Sequence, residues 1–297
     1  MTKKIKVEEA VGKKLAHDVI CYKPGLKTVS FKRGHVVMDE DISRLKDTGD
    51  YYVLVEDDHS GGVHEEDAAL RMARALVDSS VFFSRPHSGK VNLLAKTSGL
   101  LKVKSDVVTR VNLVEDFVLA TKKSDTWVKQ GTLLGSAKVV PLSVGESKIG
   151  KVEKMMRDNK PIIKILPLKV RKIALLITGT EVYEGRITDA FYPTLSVKLA
   201  EYGLRIGKKI IVPDDPEKIK SHILDLKAKG YELILVSSGM AVDAGDVTPA
   251  AIRKTGAEVV TRGVPIFPGS MAMVAYLKGT PVLGLPACVI PDKITSF

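Results

Sequence analysis

Cysteine is nearly absent from the sequence: only Cys21 and Cys288 occur, far apart and outside any CxxC spacing. Neither a disulfide framework nor a zinc site can be built from such a pair. Aromatic residues are also sparse, at 5% with a single tryptophan. No uncharged apolar run approaches the ~20 residues of a membrane-spanning helix, and the basic start Met1-Thr-Lys-Lys-Ile-Lys-Val7 lacks the apolar centre of a secretion signal. These absences lead to the expectation of a cytoplasmic protein with no membrane segment. What is present suits packed globular structure: 297 residues, 44% hydrophobic and 27% charged. A chain of that length buries enough surface for about two domains, and its composition excludes disorder.

Acidic charge is short in one place only. The formal net charge is +11. Residues 1–84 carry 13 basic and 15 acidic side chains, residues 173–297 carry 14 and 13, and residues 85–172 carry 19 and 7. A basic middle segment attracts phosphorylated ligands or an acidic neighbour. It holds only Phe117 and Trp127 as aromatics. A single-strand nucleic-acid binder interleaves stacking platforms with its cations, so that partner class is disfavoured.

The C-terminal part alternates strand-length apolar runs with helix-length amphipathic segments, the pattern of a parallel α/β sheet. Strands are expected over 172–178, 206–212, 231–236, 257–261 and 281–285. Helices are expected over 189–202 and 215–230, after Thr248-Pro249, and over 270–278. Asp189 and Asp215 read as N-caps, while Gly203 and Gly230 read as stops. Residues 90–141, rich in Val, Leu and Thr with hairpin-like turn spacing, read as mostly β. The first 84 residues read as mixed, with helices over 39–46 and 65–77. The expected fold class is therefore α/β: a C-terminal doubly wound, mostly parallel sheet with mixed α+β and β-rich N-terminal parts. The expected domains are 1–84, 85–170 and 171–297.

Open α/β sheets bind ligands beyond the carboxyl ends of their strands. Four loops fall there. The first, Thr178-Gly-Thr-Glu181 with Gly185-Arg-Ile-Thr-Asp189, combines small residues that let amides approach a phosphate with carboxylates suited to a hydrated cation. It also reads as a plain strand-to-helix connection. The second, Pro213-Asp-Asp-Pro216, leaves Asp214 as the carboxylate not needed for capping. The third, Ser237-Ser-Gly-Met-Ala-Val-Asp-Ala-Gly-Asp-Val-Thr-Pro249, follows a buried strand with hydroxyls and glycine and then sets Asp243 and Asp246 before a helix. That arrangement can hold phosphate with Mg²⁺ against it. The fourth comprises Val264 to Ser270, with Pro268-Gly269, and Leu283-Gly-Leu-Pro-Ala287.

These loop motifs, in this order over residues 172–296, resemble the molybdopterin-binding domain of the molybdopterin molybdotransferases, the MoeA and gephyrin class, and of the related molybdopterin adenylyltransferases. The resemblance implies a molybdotransferase that binds molybdopterin or its adenylylated form with Mg²⁺ and inserts molybdate. It implies that Glu181, Asp214 and Asp246 are the catalytic carboxylates, with Glu181, Asp215 and Asp246 as metal ligands and either Asp214 or Asp215 facing the ligand. It implies that Thr178, Gly179, Ser237, Ser238, Gly239, Asp243, Pro268, Gly269 and Pro286 surround the pterin or its phosphate. A homodimer is implied as well. Alternatives are a non-catalytic molybdopterin carrier or sensor and an adenylyltransferase. The chain departs from the transferase pattern at Ser238, where a first glycine is usual, and at Phe267 and Ser270, where lysines flank the Pro-Gly. It departs again at Ala287-Cys-Val289, which replaces Gly-Asn-Pro. Most molybdotransferases continue with a β domain past the point reached at Phe297.

Two further motifs read more simply as structure. Gly145-Glu-Ser-Lys-Ile-Gly-Lys-Val152 nearly spells a phosphate loop, but Val152 stands where a hydroxyl would bind Mg²⁺. Asp57, Asp58, His59, His64, Glu65 and Asp67 have metal-ligand composition, yet acids at 65–67 are what a first helical turn prefers.

Overall fold

The computed structural model describes residues 2–23, 26–56, 62–240, 247–290, 295 and 297. The chain forms two compact units, Met1–Leu168 and Lys169–Phe297. No helix among the described residues is long and apolar enough to cross a membrane.

The first unit holds two hydrophobic clusters. The smaller gathers Ile5, Val7, Leu15, Phe31, Leu45, Val53 and Val55, from the antiparallel pairs Thr2–Lys6 with Tyr52–Glu56 and Val19–Lys23 with Leu26–Phe31, and from the helix Asp41–Asp47. The larger is built around the helix Glu65–Leu76, whose Ala68, Ala69, Met72, Ala73 and Leu76 face the antiparallel sheet containing Lys90–Ala95, Leu133–Val139 and Phe117–Thr121. The region expected to be mostly β also contains the helix Ser105–Asn112, which buries Val107 and Val111 one turn apart. The phosphate-loop look-alike is the helix Glu146–Asp158, started by Gly145, and Val152 is buried in the core.

In the second unit we number the elements β1 (Ile173–Thr178), α1 (Thr180–Tyr183), α2 (Phe191–Ala200), β2 (Ile206–Val212), α3 (Pro216–Ala228), β3 (Leu233–Ser237), α4 (Thr248–Lys254), β4 (Glu258–Arg262), β5 (Met273–Leu277) and β6 (Thr280–Leu285). The sheet order is β2-β1-β3-β6-β5-β4. β2, β1, β3 and β6 run parallel, and β5 is antiparallel to both β6 and β4. β1 is buried along its whole length, as its unbroken apolar run requires, because both sheet faces are covered. Ala174 and Leu176 pack with Ile219, Ile223 and Ile252 of α3 and α4. Ile173, Leu175 and Ile177 point the other way, toward Phe191, Leu195 and Val289. The sheet is doubly wound and mostly parallel.

One expected helix is a strand. Residues 270–278 contain Met and Ala, good helix formers, but Met273–Leu277 pairs with both β4 and β6. Met273, Ala275 and Leu277 are buried and alternate with more exposed neighbours. Lys278 and Gly279, at φ 47° and 80°, make the two-residue turn into β6. A turn with positive φ at both positions matches the twist of paired strands, so hairpin geometry outweighs helix propensity.

Candidate functional site

The chain passes from β1 to β2 on one side and returns to β3 on the other, so the topology reverses between β1 and β3. Crevices open at such points. The carboxyl ends are in register: Thr178 lies opposite Val212, Ile177 opposite Ser237, and Ser237 opposite Leu285. The loops that follow β1, β2, β3 and β6 therefore leave along one rim.

Buried hydroxyls tie the centre of this rim together. Thr178 Oγ1 donates to the Ser237 carbonyl at 2.9 Å and lies 3.3 Å from Thr248 Oγ1. Thr178, Ser237 and Thr248 are all at most 1% exposed. The Ser237 hydroxyl is buried without a hydrogen-bond partner among the described residues. Leaving such a group unpaired costs about 1–3 kcal/mol.

Above it the chain turns through two left-handed residues, Ser238 at φ 71° and Gly239 at φ 60°. The Ser238 amide donates to the Leu285 carbonyl at 3.1 Å. Gly239 is required for space as well as conformation: a Cβ there would stand 2.7 Å from Thr248 Oγ1 and 3.4 Å from Thr178 Oγ1. Met240 then crosses β6 over Gly284, whose Cβ would come within 2.6 Å of Met240 Cε. α4 runs for only seven residues.

The carboxylates on the rim do different things. Asp214 Oδ2 accepts from the Thr180 amide at 2.9 Å and from Thr180 Oγ1 at 3.3 Å, while the Asp214 amide donates back to Thr180 Oγ1 at 3.1 Å. Asp214 thus braces the loop after β1. Asp215 Oδ1 caps α3, accepting from the amides of Glu217 at 2.9 Å and Lys218 at 3.2 Å, while Oδ2 takes no hydrogen bond from a described residue. Glu181 is exposed, folds back over Gly179, and has no hydrogen-bonded partner for its carboxylate among the described residues. Asp189 caps α2 through the amides of Phe191 and Tyr192, at 2.8 and 3.2 Å, and pairs with Lys209 at 3.3 Å. Asp243 and Asp246 lie outside the described residues, as do Asp57, Asp58 and His59.

Thr178, Gly179, Ser237, Ser238 and Gly239 are brought together, and Pro286 follows β6 on the same rim. Pro268 and Gly269 also leave the rim, after β4, but that strand is three places from β3, about 14 Å at the usual strand spacing. Phe267 beside them is 85% exposed. Sequence reasoning missed Thr180 as the partner of Asp214. Its hydroxyl one residue past the glycine was visible, but its approach to the second loop depends on the parallel register. Among the described residues no group of three or more His, Cys, Asp or Glu side chains is placed to hold a metal ion.

Residues 174–290 match a family model described as "Probable molybdopterin binding domain", and residues 4–57 match one described as a domain of unknown function. The chain is similar to a CinA-like protein of Mycobacterium sp. (strain JLS), 33% identical over 90 residues, which are 30% of this chain and 21% of the relative. It is also similar to the molybdopterin molybdenumtransferase of Synechococcus elongatus, 28% identical over 111 residues, covering 35% of this chain and 28% of the relative. The matches thus span about a fifth to a quarter of those proteins' lengths. A solved molybdopterin biosynthesis MoeA protein from Pyrococcus horikosii overlaps 96% of this chain and 70% of its own, with 13% identity and a TM-score of 0.34. The family match lies wholly within the C-terminal unit, which is similar to the molybdopterin-binding domain.

Proposed function

We propose that the β1/β3 crevice binds molybdopterin or its adenylylated form, and that the chain inserts molybdate into the dithiolene. The observation that carries this reading is the Thr178–Ser237–Thr248 knot beneath the Ser238-Gly239 turn. It combines a buried hydroxyl that has no partner among the described residues with a left-handed turn that packs directly on Thr178 and Thr248, which supports a polar ligand at this point of the rim.

Within this reading the chain's own residues bind and orient. The Gly239 amide and the Ser237 hydroxyl are the groups offered to the polar part of the ligand, and Asp214 fixes the loop that carries Glu181. The resemblance would give Mg²⁺ the carboxylates of Glu181, Asp215 and Asp246; of these Glu181 is exposed and Asp215 keeps Oδ2 unbonded, while Asp246 lies outside the described residues. When bound, the cation would neutralise charge as phosphate and molybdate oxygens approach.

The test is incubation of the chain with adenylylated molybdopterin, molybdate and Mg²⁺, following AMP release and retained molybdenum. Release of AMP together with molybdenum capture supports the proposal, and Glu181→Gln should slow it roughly 10²-fold while binding holds within a factor of three. The exposed apolar Phe267, where the resembling family has lysine, favours one second reading, a binding-only carrier. Tight binding of molybdopterin with no turnover under any Mg²⁺ or molybdate concentration selects the carrier and rejects the transferase.

A further inference from the structure

A basic cleft of about 550 Å³ lies in the N-terminal unit, lined by Arg71, Arg74, Ala75, Glu153, Arg157 and Lys160. Its walls are the helices Glu65–Leu76 and Glu146–Asp158, with Lys160 just past the second. Arg71 and Arg74 stand three residues apart on the first helix, and Glu153 and Arg157 four apart on the second, so each pair shares a face. Four cations therefore converge on one carboxylate.

One of these cations is a strut. The Arg71 guanidinium donates to both carboxylate oxygens of Glu146, at 2.9 Å each, and to Glu153 Oε2 from Nε at 3.2 Å and from Nη2 at 2.8 Å. Arg157 donates to the other oxygen of Glu153, Oε1. Every oxygen of the two carboxylates is thereby taken, and Glu153 is only 7% exposed. The bonds tie one helix to the other and fix the shape of the cleft before any ligand arrives.

The other three cations keep donors to spare. The Arg74 guanidinium makes no hydrogen bond or ion pair with a described residue. Arg157 commits one nitrogen to Glu153, and Lys160 Nζ commits one proton to the Arg74 carbonyl at 2.9 Å. All three residues are exposed, so their remaining N–H groups are open to a ligand. Arg71, Arg74, Arg157 and Lys160 against Glu146 and Glu153 leave a balance of +2. Arg157 and Lys160 also belong to residues 85–172, where the positive excess of the chain lies and which the C-terminal crevice does not use.

The chemistry of the ligand follows from these groups. Spare guanidinium and ammonium donors on a concave wall suit an anion, and the planar guanidinium fork matches the oxygens of a phosphate. The volume falls within the range of small-molecule sites, about 300–1,000 Å³. No aromatic side chain lines the cleft, so the bases of a single-stranded nucleic acid would have nothing to stack on. We infer that this cleft is a second binding site, for the phosphate or diphosphate group of a small molecule, held by Arg74, Arg157 and Lys160 on the frame that Arg71 braces.

The test uses the full chain and follows the Nε–H resonances of Arg71, Arg74 and Arg157 by NMR during titration with inorganic phosphate, pyrophosphate and acetate at constant ionic strength. Saturable shifts of Arg74 and Arg157 with at least one of the two phosphates are expected, with no saturation by acetate; the tighter phosphate identifies the group. Arg74→Gln should weaken that binding at least about tenfold. Lys154→Gln, which removes an equal charge from the second helix but outside the cleft, should leave it within about twofold. No saturation by either phosphate, saturation by acetate, or equal affinities in the two variants overturns the inference. No residue is shared with the C-terminal crevice: pyrophosphate shifts confined to the amides of 178–180 and 238–239 reject this site and leave the molybdopterin reading untouched.

Discussion

At the scale of single residues, Gly239 carries a sharply defined constraint. Gly239→Ala sets a methyl 2.7 Å from Thr248 Oγ1 at a φ of 60°. The variant should lose about 1–3 kcal/mol of stability through overpacking, measured by denaturant unfolding, and at least tenfold in molybdopterin affinity. Wild-type stability in the variant would show that Thr248 yields. Two titratable groups of the N-terminal unit, Glu65 and His17, have a pH signature whose sign can be worked out. Burial raises the folded pKa of Glu65, so the folded state holds its proton longer; that contribution to stability is present below 4.5 and lost as pH rises through the folded value. Burial lowers the folded pKa of His17, so its contribution is present above 6.5 and lost as pH falls through the folded value. Glu65→Gln should therefore remove a stability loss on the alkaline side of pH 4.5, and His17→Gln one on the acid side of pH 6.5. Unchanged pH–stability curves in these variants contradict these shifts. The Ser237-Ser-Gly239 turn was legible because small polar residues directly follow a buried strand. Glu65 was not: an acid opening a helix looks solvated in sequence, and only the approach of Gly89 and Leu142 buries it.

At the scale of elements, α3 separates capping from catalysis. Asp215 Oδ1 holds two amides of its first turn. Asp215→Ala should cost about 1 kcal/mol and Asp215→Ser almost nothing, read from thermal unfolding. If Asp215→Ser keeps stability but abolishes Mg²⁺-dependent turnover, the carboxylate has a second role at its free oxygen. The parallel strands were readable because burial on both faces forces unbroken apolar runs such as Ile173–Thr178. β5 was not, because Met and Ala favour helix while the competing signal, period-two burial ending in Lys278-Gly279, is short. The helix Ser105–Asn112 escaped for the opposite reason: its Val-Val-Thr run has β propensity, and packing of Val107 and Val111 into the core overrides it.

At the scale of the whole molecule, each unit has its own buried core. Calorimetry should resolve two unfolding transitions, with Leu101→Ala lowering one and Leu176→Ala lowering the other; each deletes a fully buried leucine, a loss of about 2–5 kcal/mol. A single transition moved equally by both would show the units to be energetically one. The reading of the C-terminal unit rests on the crevice where its topology reverses. Hydrogen exchange of the full chain with and without molybdopterin examines that crevice amide by amide. Slowed exchange at 178–180 and 238–239, with residues 258–262 at the far sheet edge unchanged, is the predicted result. Binding with protection elsewhere, or no binding at all, would contradict it.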